Sequence, residues 1–523
     1  MTGMWVLVPA FLRRDRWLLL WWALGGTVLY WSQAISVKGL YATQAEFDRA
    51  AAMMESNPAL IAMAGPARAL NTVGGQVTWQ AAAFGAIALG LMSMFLIGRH
   101  TRAEEESGRD ELIRAGVVGR RAPMTAALVV AGIANLLVGT LVAVSLISVP
   151  LAVADSVALG VGVALCGMVF AGVALVAAQL TTSTRAMYGL TGLVIAASYA
   201  LRAIGDVGNE VWSWLSPIGW YQQMYAFSGL RWWPALLLAG AAVVTTLVAY
   251  VVFERRDIGA GVFAARPGPA RAHQTLNSSW GLAWRLQRGS VIGWAIGLLA
   301  TGLAYGSIGN DAGDLMGDSE TARDLMVAGG GDLVDGFFAM ALTMQALLTA
   351  GFAISSALRP RGEEEAGHAE VVLATAQSRA RWLLSQVGVT VIGTAVVLAA
   401  GGVGLGAADA LVTGDAGEIG AFTWQSLTWL PAVLVLSGLT RLLYGLSPRL
   451  ATLGWLGLLY AVAVLMFAEI LRFPDWVRSL SPFEQLASVP VEAFDAGAFV
   501  AVLAAATLLS VGGWFALTRR DVG

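Results

Sequence analysis

Long apolar segments alternate with short polar ones along the whole chain. The apolar runs are about 20 residues long, which suits helices that cross a hydrocarbon core of about 30 Å. We predict twelve such spans. They lie at about 17–36, 74–98, 124–150, 156–180, 186–204, 234–253, 290–308, 336–358, 383–405, 425–444, 451–470 and 497–517.

The polar stretches divide these spans into two groups of six. Residues 4–16 are apolar and then basic, which predicts a short amphipathic helix on the membrane surface. Residues 261–285 form a long stretch without a span and contain Pro267 and Pro269, which is typical of a linker. We therefore predict a first unit at 1–260, a cytoplasmic linker at 261–285 and a second unit at 286–523.

Composition agrees with a membrane protein. Of the 523 residues, 57% are hydrophobic and only 13% are charged, whereas soluble domains carry about 25% charged residues. The predicted fold class is an all-α integral membrane protein with about twelve transmembrane helices in two tandem six-helix units. Since the net charge is −2 and no basic patch with interleaved aromatic residues occurs, nothing predicts a nucleic-acid partner. The single cysteine, Cys166, lies in an apolar run and is interpreted as a small buried hydrophobe.

Positive charges predict the orientation. With the N-terminus inside, about three quarters of the 32 lysines and arginines fall in cytoplasmic segments, as expected for membrane helices. The sequence thus predicts a multi-pass membrane protein with both termini in the cytoplasm. Lys38 is the only lysine among the 32 basic residues, and with the excess of alanine and glycine this indicates a bacterial protein, so we expect the plasma (inner) membrane.

One charged segment occurs twice. Residues 99–121 follow the second span, and residues 359–381 follow the eighth; we call them the first and second acidic segments. Their matching pairs are Glu104 and Glu363, Glu105 and Glu364, Glu106 and Glu365, Gly108 and Gly367, Glu111 and Glu370, and Arg120 and Arg379. A solvated helix face is the ordinary interpretation of one acidic run. Its recurrence in one register favours a docking element that is used twice, and we expect it to bury little of the helical bundle.

Other matches show that the duplication extends to the end of each unit. Ser216-Pro217 matches Ser481-Pro482, and the motif RRDIG at 255–259 matches RRDVG at 519–523. An even number of spans per unit keeps both copies in the same orientation, so this is a parallel duplication.

Candidate chemistry within the chain is sparse. No phosphate-binding G-x-x-x-x-G-K-[ST] loop occurs, so we expect no ATP hydrolysis by this chain and no catalytic or metal site. Arg202 with Asp206 and Glu469 with Arg472 can each meet on one helix face, and we interpret both as structural pairs. Gly293 with Gly297 and Gly302 with Gly306 are spaced for close helix packing.

The sequence resembles the membrane-spanning subunits of ABC exporters of the type V (ABC-2-like) fold. It is most similar to the fused twelve-span actinobacterial permeases that export polyketide antibiotics. The residues that carry the resemblance are the acidic segments at 104–114 and 363–373, the amphipathic stretch at 9–16 and the two Ser-Pro segments. The resemblance covers essentially the whole chain.

This resemblance implies a permease for lipophilic drugs or polyketide-type antibiotics, driven by a separate ATPase subunit in two copies. That partner would hold ATP and Mg²⁺, and this chain would bind no cofactor. The implied coupling residues are Glu104, Glu105, Glu106, Gly108, Arg109, Asp110, Glu111, Glu363, Glu364, Glu365, Gly367, His368 and Glu370. Because Arg109 and Asp110 become His368 and Ala369, we expect unequal docking strengths.

In the resembled fold, the transport path lies between the second and fifth spans of each unit. The implied lining residues are Met92, Met94, Phe95, Phe337, Phe338, Met340 and Met344. Soft and aromatic side chains suit bulky lipophilic molecules, although the same residues could pack the bundle or face lipid.

Two other functional classes remain open. A secondary transporter of the major-facilitator kind also has six plus six spans, but its loop after the second span is shorter. A membrane enzyme would need an acidic or histidine cluster, whereas His100, His273 and His368 are scattered. A neighbouring gene for an ATPase would favour the exporter.

Overall fold

The computed structural model describes residues 2–41, 43–56, 58–257, 259–262, 271–309, 333–468 and 473–520. The predicted pair of Glu469 with Arg472 and the last three residues of the RRDVG motif lie outside this part. The chain divides into two compact units, Met1–Gly268 and Pro269–Gly523. In the described residues, both units consist of helices and their connections.

The first unit has eleven α-helices in its described residues. They are α1 (Met4–Leu40), α2 (Gln44–Ser56), α3 (Pro58–Ala64), α4 (Val73–His100), α5 (Arg102–Glu106), α6 (Arg109–Arg114), α7 (Ala122–Ser148), α8 (Val153–Leu180), α9 (Thr184–Val207), α10 (Pro217–Gln222) and α11 (Trp233–Glu254).

The second unit has ten α-helices in the part that the structure describes. They are α12 (Ser279–Ile308), α13 (Leu333–Ala357), α14 (Arg359–Glu365), α15 (His368–Leu373), α16 (Arg379–Thr413), α17 (Gly417–Thr428), α18 (Leu430–Leu446), α19 (Gly454–Phe467), α20 (Asp475–Arg478) and α21 (Ala496–Thr518). Because α12 begins at Ser279, the end of the expected linker is helical.

The helices of the two units pack in the same order. In the first unit, α8 packs against α4, α7 and α11, and α1 packs against α4 and α7. In the second unit, α18 packs against α13 and α21, and α12 packs against α16 and α13. Each unit therefore buries its own apolar core, and the acidic segment follows the same helix in each.

Ten helical stretches in the described residues are long and apolar enough to cross a membrane. They confirm an all-α, multi-pass membrane protein. Of the twelve expected spans, the first lies in α1, where Trp17, Trp21 and Trp22 lower the hydropathy, and the eleventh lies in α19, which has only 14 residues. The full count of twelve stays a prediction.

Two boundaries differ from expectation. Residues 4–40 form one continuous helix, so the expected separate amphipathic helix at 4–16 is wrong. The single span expected at 425–444 lies within one stretch, Gly417–Leu446, that is long enough to cross a membrane, but this stretch begins earlier than expected and is broken at Trp429 into α17 and α18. Pro431 explains this break, since a proline lacks the backbone N–H that a continuous helix would use there.

Several smaller predictions can be compared with the structure. Cys166 is buried, as expected. Arg202 and Asp206 form a buried ion pair at 3.4 Å, which confirms their predicted contact. Gly302 and Gly306 pack against the α16 backbone at Gly401 and Leu405. The same prediction is wrong for Gly293 and Gly297, which face open space among the described residues.

The two glycine pairs on α12 make a matched test of helix packing. A methyl group at Gly306 would collide with the carbonyl oxygen of Leu405, so Gly306→Ala should destabilise the protein by about 1–3 kcal/mol. Gly297→Ala should be neutral or stabilising by up to about 1 kcal/mol, because alanine favours the helix where nothing obstructs it. Thermal unfolding in detergent would measure both. Equal melting temperatures for the two variants would contradict the close approach of α12 and α16.

Candidate docking site on the acidic segments

Each acidic segment folds into two short helices joined by a glycine. In the first, α5 and α6 meet at Gly108, whose φ is 71°. In the second, α14 and α15 meet at Gly367, whose φ is 72°. Both glycines hold the left-handed backbone conformation that other residues rarely adopt. The repeated sequence thus produces the same turn twice.

Glu105 ties the first segment to the end of the last helix of its unit. Its carboxylate accepts two hydrogen bonds from Arg256, at 2.6 and 3.1 Å, and one from Arg102 at 2.8 Å. Arg256 also donates to the Gln179 side chain at 2.7 Å. Both arginines and the carboxylate are largely buried. A two-pronged pair between an arginine and a carboxylate fixes orientation as well as distance.

Glu364 makes the corresponding tie in the second unit. Arg520 donates to its two oxygens at 2.9 and 2.8 Å, and the hydroxyl of Tyr444 donates at 2.6 Å. Burial by itself would lower the pKa of Arg520, but the hydrogen bonds and negative charge of Glu364 outweigh it, so that pKa is raised. We call the Glu105–Arg256 and Glu364–Arg520 pairs the two clasps.

A second contact at each clasp is also duplicated. Arg120 donates to the backbone carbonyl of Arg256 at 2.7 Å, and Arg379 donates to that of Arg520 at 2.9 Å. Each acidic segment is therefore held at both ends to the arginine that follows the last helix of its unit.

The remaining inward-facing residues differ between the units. Glu104 is buried and pairs with Arg14 on α1, whereas Glu363 pairs with Arg359 at 2.9 Å and with His368 at 3.2 Å. Asp110 is buried and pairs with Arg114.

In the second unit, Ala369 takes the place of Asp110 and packs among Trp382, Leu383 and Tyr444. An ion pair in one unit is thus replaced by apolar contact in the other.

The outward faces of the segments are alike. At three matching positions of the two units both side chains are exposed: Glu106 and Glu365, Glu111 and Glu370, and Arg109 and His368. Beside them lie two exposed apolar side chains, Leu112 at 77% and Val371 at 71% exposure. We call Glu111 with Leu112, and Glu370 with Val371, the outward ridges. Each hairpin therefore presents an exposed apolar side chain beside an exposed acidic one, which makes the ridge a candidate docking surface.

The expectation that the glutamate triplets bury little of the bundle is wrong for Glu104 and Glu105 in the first unit and for Glu364 in the second, whose side chain is 9% exposed. Glu104 and Glu105 have side chains only 6% and 9% exposed, since each faces an arginine of its own unit. Within the sequence, the acidic run and the RRDIG motif are two separate repeats. Nothing in either pattern indicated that they touch, because their contact depends on how the helices pack.

The candidate transport-path residues are divided by the structure. Met92, Met94 and Phe338 are buried in the bundles, and Phe337 and Met344 are partly buried. Phe95 and Met340 are exposed. Phe95 lies on α4 and its ring meets that of Tyr188 on α9, with centroids 5.3 Å apart. Exposure leaves Phe95 and Met340 open to a ligand or to lipid, whereas the three buried residues pack the core.

The first clasp can be tested by removing its charge. Glu105→Gln should cost about 3–5 kcal/mol of stability, because it leaves Arg102 and Arg256 without their buried counter-charge. Trypsin should then cut faster after Arg109 and Arg114. Glu111→Gln, on the exposed ridge of the same segment, is the matched control and should change stability by less than about 0.5 kcal/mol.

Combining Glu105→Gln with Arg256→Leu sharpens this test. The double variant should be more stable than Glu105→Gln, since no unpaired arginine remains at position 256. Unfolding in detergent measures the whole cycle. Strictly additive effects would contradict a direct tie.

Comparison with known proteins agrees with this architecture. A family model described as the C-terminal domain of the multidrug efflux system permease Rv1217c matches residues 276–517. The multidrug efflux system permease protein Rv1217c of Mycobacterium tuberculosis (strain ATCC 25618 / H37Rv) is 38% identical over 525 residues, covering 100% of this chain and 95% of that protein. With similarity at this level over its whole length, the chain belongs to the family of multidrug efflux system permeases.

Proposed function

We propose that this chain is the permease subunit of an ATP-driven ABC exporter of the type V fold. It moves lipophilic drugs or polyketide-type antibiotics out across the plasma membrane. A separate ATPase subunit, in two copies, docks on the two acidic segments and holds ATP and Mg²⁺. The observation that carries the proposal is the duplicated outward ridge on a hairpin that a clasp holds to the last helix of the unit.

The clasps give docking a mechanical consequence. Because Glu105 and Glu364 each bind an arginine at the end of a membrane helix, a force on the ridge is passed to that helix through charged hydrogen bonds. A ridge on a loose loop would absorb the same force. The coupling residues therefore have different roles. The residues that meet the partner are the exposed ones: Glu106, Arg109, Glu111, Glu365, His368 and Glu370. The residues that hold the hairpin in place are buried or partly buried: Glu104, Glu105, Asp110, Glu363 and Glu364, with Gly108 and Gly367 forming the turn.

Two observations support the proposed substrate class: the exposed path residues are apolar, and the similar mycobacterial protein is a multidrug efflux system permease. Phe95 and Met340 offer polarisable surfaces to a bulky apolar molecule, and neither brings a charge that would select for an ion. A proton-coupled transporter of the major-facilitator kind gains no support from the acidic hairpins, whose glutamates either pair with arginines of their own unit or lie on the exposed ridge.

Reversing the charge of the ridges and replacing their apolar residues should weaken docking without affecting folding. Glu111→Arg with Leu112→Asp, or Glu370→Arg with Val371→Asp, should weaken co-purification with the proposed ATPase subunit by roughly 10–100-fold, and all four changes together should abolish it. The first pair should have the larger effect, because Arg109 is exposed where the second segment has His368. Melting temperatures should stay within a few degrees of the wild type.

The matched control is Asp475→Arg with Trp476→Asp, an equally exposed acidic and apolar pair on α20. It should leave the complex and drug resistance unchanged. Purified alone, the chain should hydrolyse no ATP, and hydrolysis should appear when the ATPase is added. The docking proposal would be overturned if the variant with all four ridge substitutions still binds the ATPase and still confers drug resistance.

The proposed orientation can be tested by cysteine labelling in a Cys166→Ser background. Cysteines at the exposed positions Leu112 and Val371 should be protected from a membrane-impermeant reagent in intact cells. A cysteine at Asp415, which lies beyond the opposite end of α16, should be labelled. Labelling at 112 in intact cells would place the acidic segment outside and remove its access to a cytoplasmic ATPase.

A further inference from the structure

An apolar groove of about 450 Å³ lies within the second unit, between α16, α18 and α21. Most of its wall is aliphatic, with Leu383, Leu434 and Leu503 among the lining residues. It is open toward the surface of the unit, where Leu384 and Val511 are exposed. An apolar groove that is open at the side of a membrane protein can receive a hydrocarbon chain.

The groove also contains a buried arginine. Arg441 lines it and is 5% exposed, although it lies within a membrane-spanning helix. Its Nη1 donates to the hydroxyls of Ser510 at 3.1 Å and Ser437 at 3.4 Å, and its Nη2 has no hydrogen-bond partner. Within the described residues, no carboxylate forms an ion pair with it. Because arginine stays charged and a buried unpaired charge is costly, such a residue marks a site for an acidic group.

A second unpaired donor lines the same groove. The indole Nε1 of Trp514 is buried and has no hydrogen-bond partner. Buried polar groups are almost always paired, so two unpaired donors at one groove form an unusual concentration. Both lack acceptors, and together they call for a ligand head rich in oxygen atoms.

The position of these donors matches a lipid head group. Arg441 lies five residues before α18 ends, and Trp514 lies four residues before α21 ends. The groove begins at Ala380, in the first turn of α16. All three points are at the end of the unit that bears the second acidic segment, near the membrane surface, where tryptophan and arginine commonly meet lipid head groups.

The first unit shows that the fold does not require this arginine. Gly172 packs against Thr245 there, as Gly438 packs against Ser510 in the second unit. Three residues farther along the helix, the first unit has Leu175, which is fully buried among Met187, Ala249 and Phe253. An apolar side chain therefore fills the site in one unit where the other has a groove and a positive charge.

We propose that this groove binds one anionic phospholipid from the leaflet on the side of the acidic segments. Its phosphate accepts hydrogen bonds from Arg441 and Trp514, and one acyl chain lies along the leucines. The phosphate supplies the counter-charge that the described residues do not. This inference is independent of ATP-driven transport and of the docking proposal.

Native mass spectrometry of the full-length chain would test the site, with phosphatidylglycerol and phosphatidylethanolamine of identical acyl chains as probes. The wild type should retain phosphatidylglycerol at least about tenfold more tightly. Arg441→Leu, which copies the first unit, should lose that preference, and Trp514→Phe should weaken it severalfold because the ring stays but the donor is lost. Arg449→Leu, which removes an exposed arginine near the same helix end, should behave as the wild type.

Two further variants keep the test decisive if Arg441→Leu folds poorly. Thr507→Trp places bulk at an exposed position of the groove wall, keeps the arginine and should block binding. Arg441→Lys keeps the charge but loses the planar guanidinium that donates to the serines and leaves Nη2 free, and should bind with intermediate strength. The proposal is overturned if the wild type shows no preference, if Arg441→Leu retains it, or if a fatty acid of equal chain length displaces phosphatidylglycerol at equal concentration.

Discussion

In each unit, the position of the acidic segment depends on a carboxylate that is bound by an arginine from the end of another helix. Glu105 with Arg256 and Glu364 with Arg520 join residues that are far apart in the chain. Each clasp fastens the acidic segment of its unit to the end of the last helix of that unit. A buried pair of this kind adds little net stability over an apolar contact, but removing only one of its two partners is strongly destabilising because the other charge stays buried. Its contribution is therefore a defined geometry.

That geometry separates two jobs within one short run of glutamates. The middle glutamate faces inward and holds the hairpin, and the ridge residues beyond the glycine turn face outward. A docking surface transmits movement only if it is fixed to what must move. In the proposed exporter, the clasps meet this requirement for both units with the same pair of residue types.

The two units also differ in the contacts around these shared features. The clasps, the glycine turns and the ridges are kept in both, whereas the surrounding contacts are not. Asp110 and Arg114 form an ion pair where the second unit packs Ala369 against aromatic rings. Leu175 fills a space that Arg441 and an open groove occupy in the second unit. The features shared by the units thus fix the acidic hairpin in place, and the features found in one unit concern its own surroundings.

The sequence by itself determined the membrane class, most helix positions and the duplication, because those depend on local hydropathy and on residues compared one by one. It also located both halves of each clasp as separate repeated motifs. Only the tertiary structure decided that the motifs touch, which glutamates face inward, and which glycines approach another helix. It also decided that α1 runs unbroken from Met4 to Leu40. These outcomes depend on side chains that are distant in sequence and meet only when helices pack, and no local pattern encodes such a meeting.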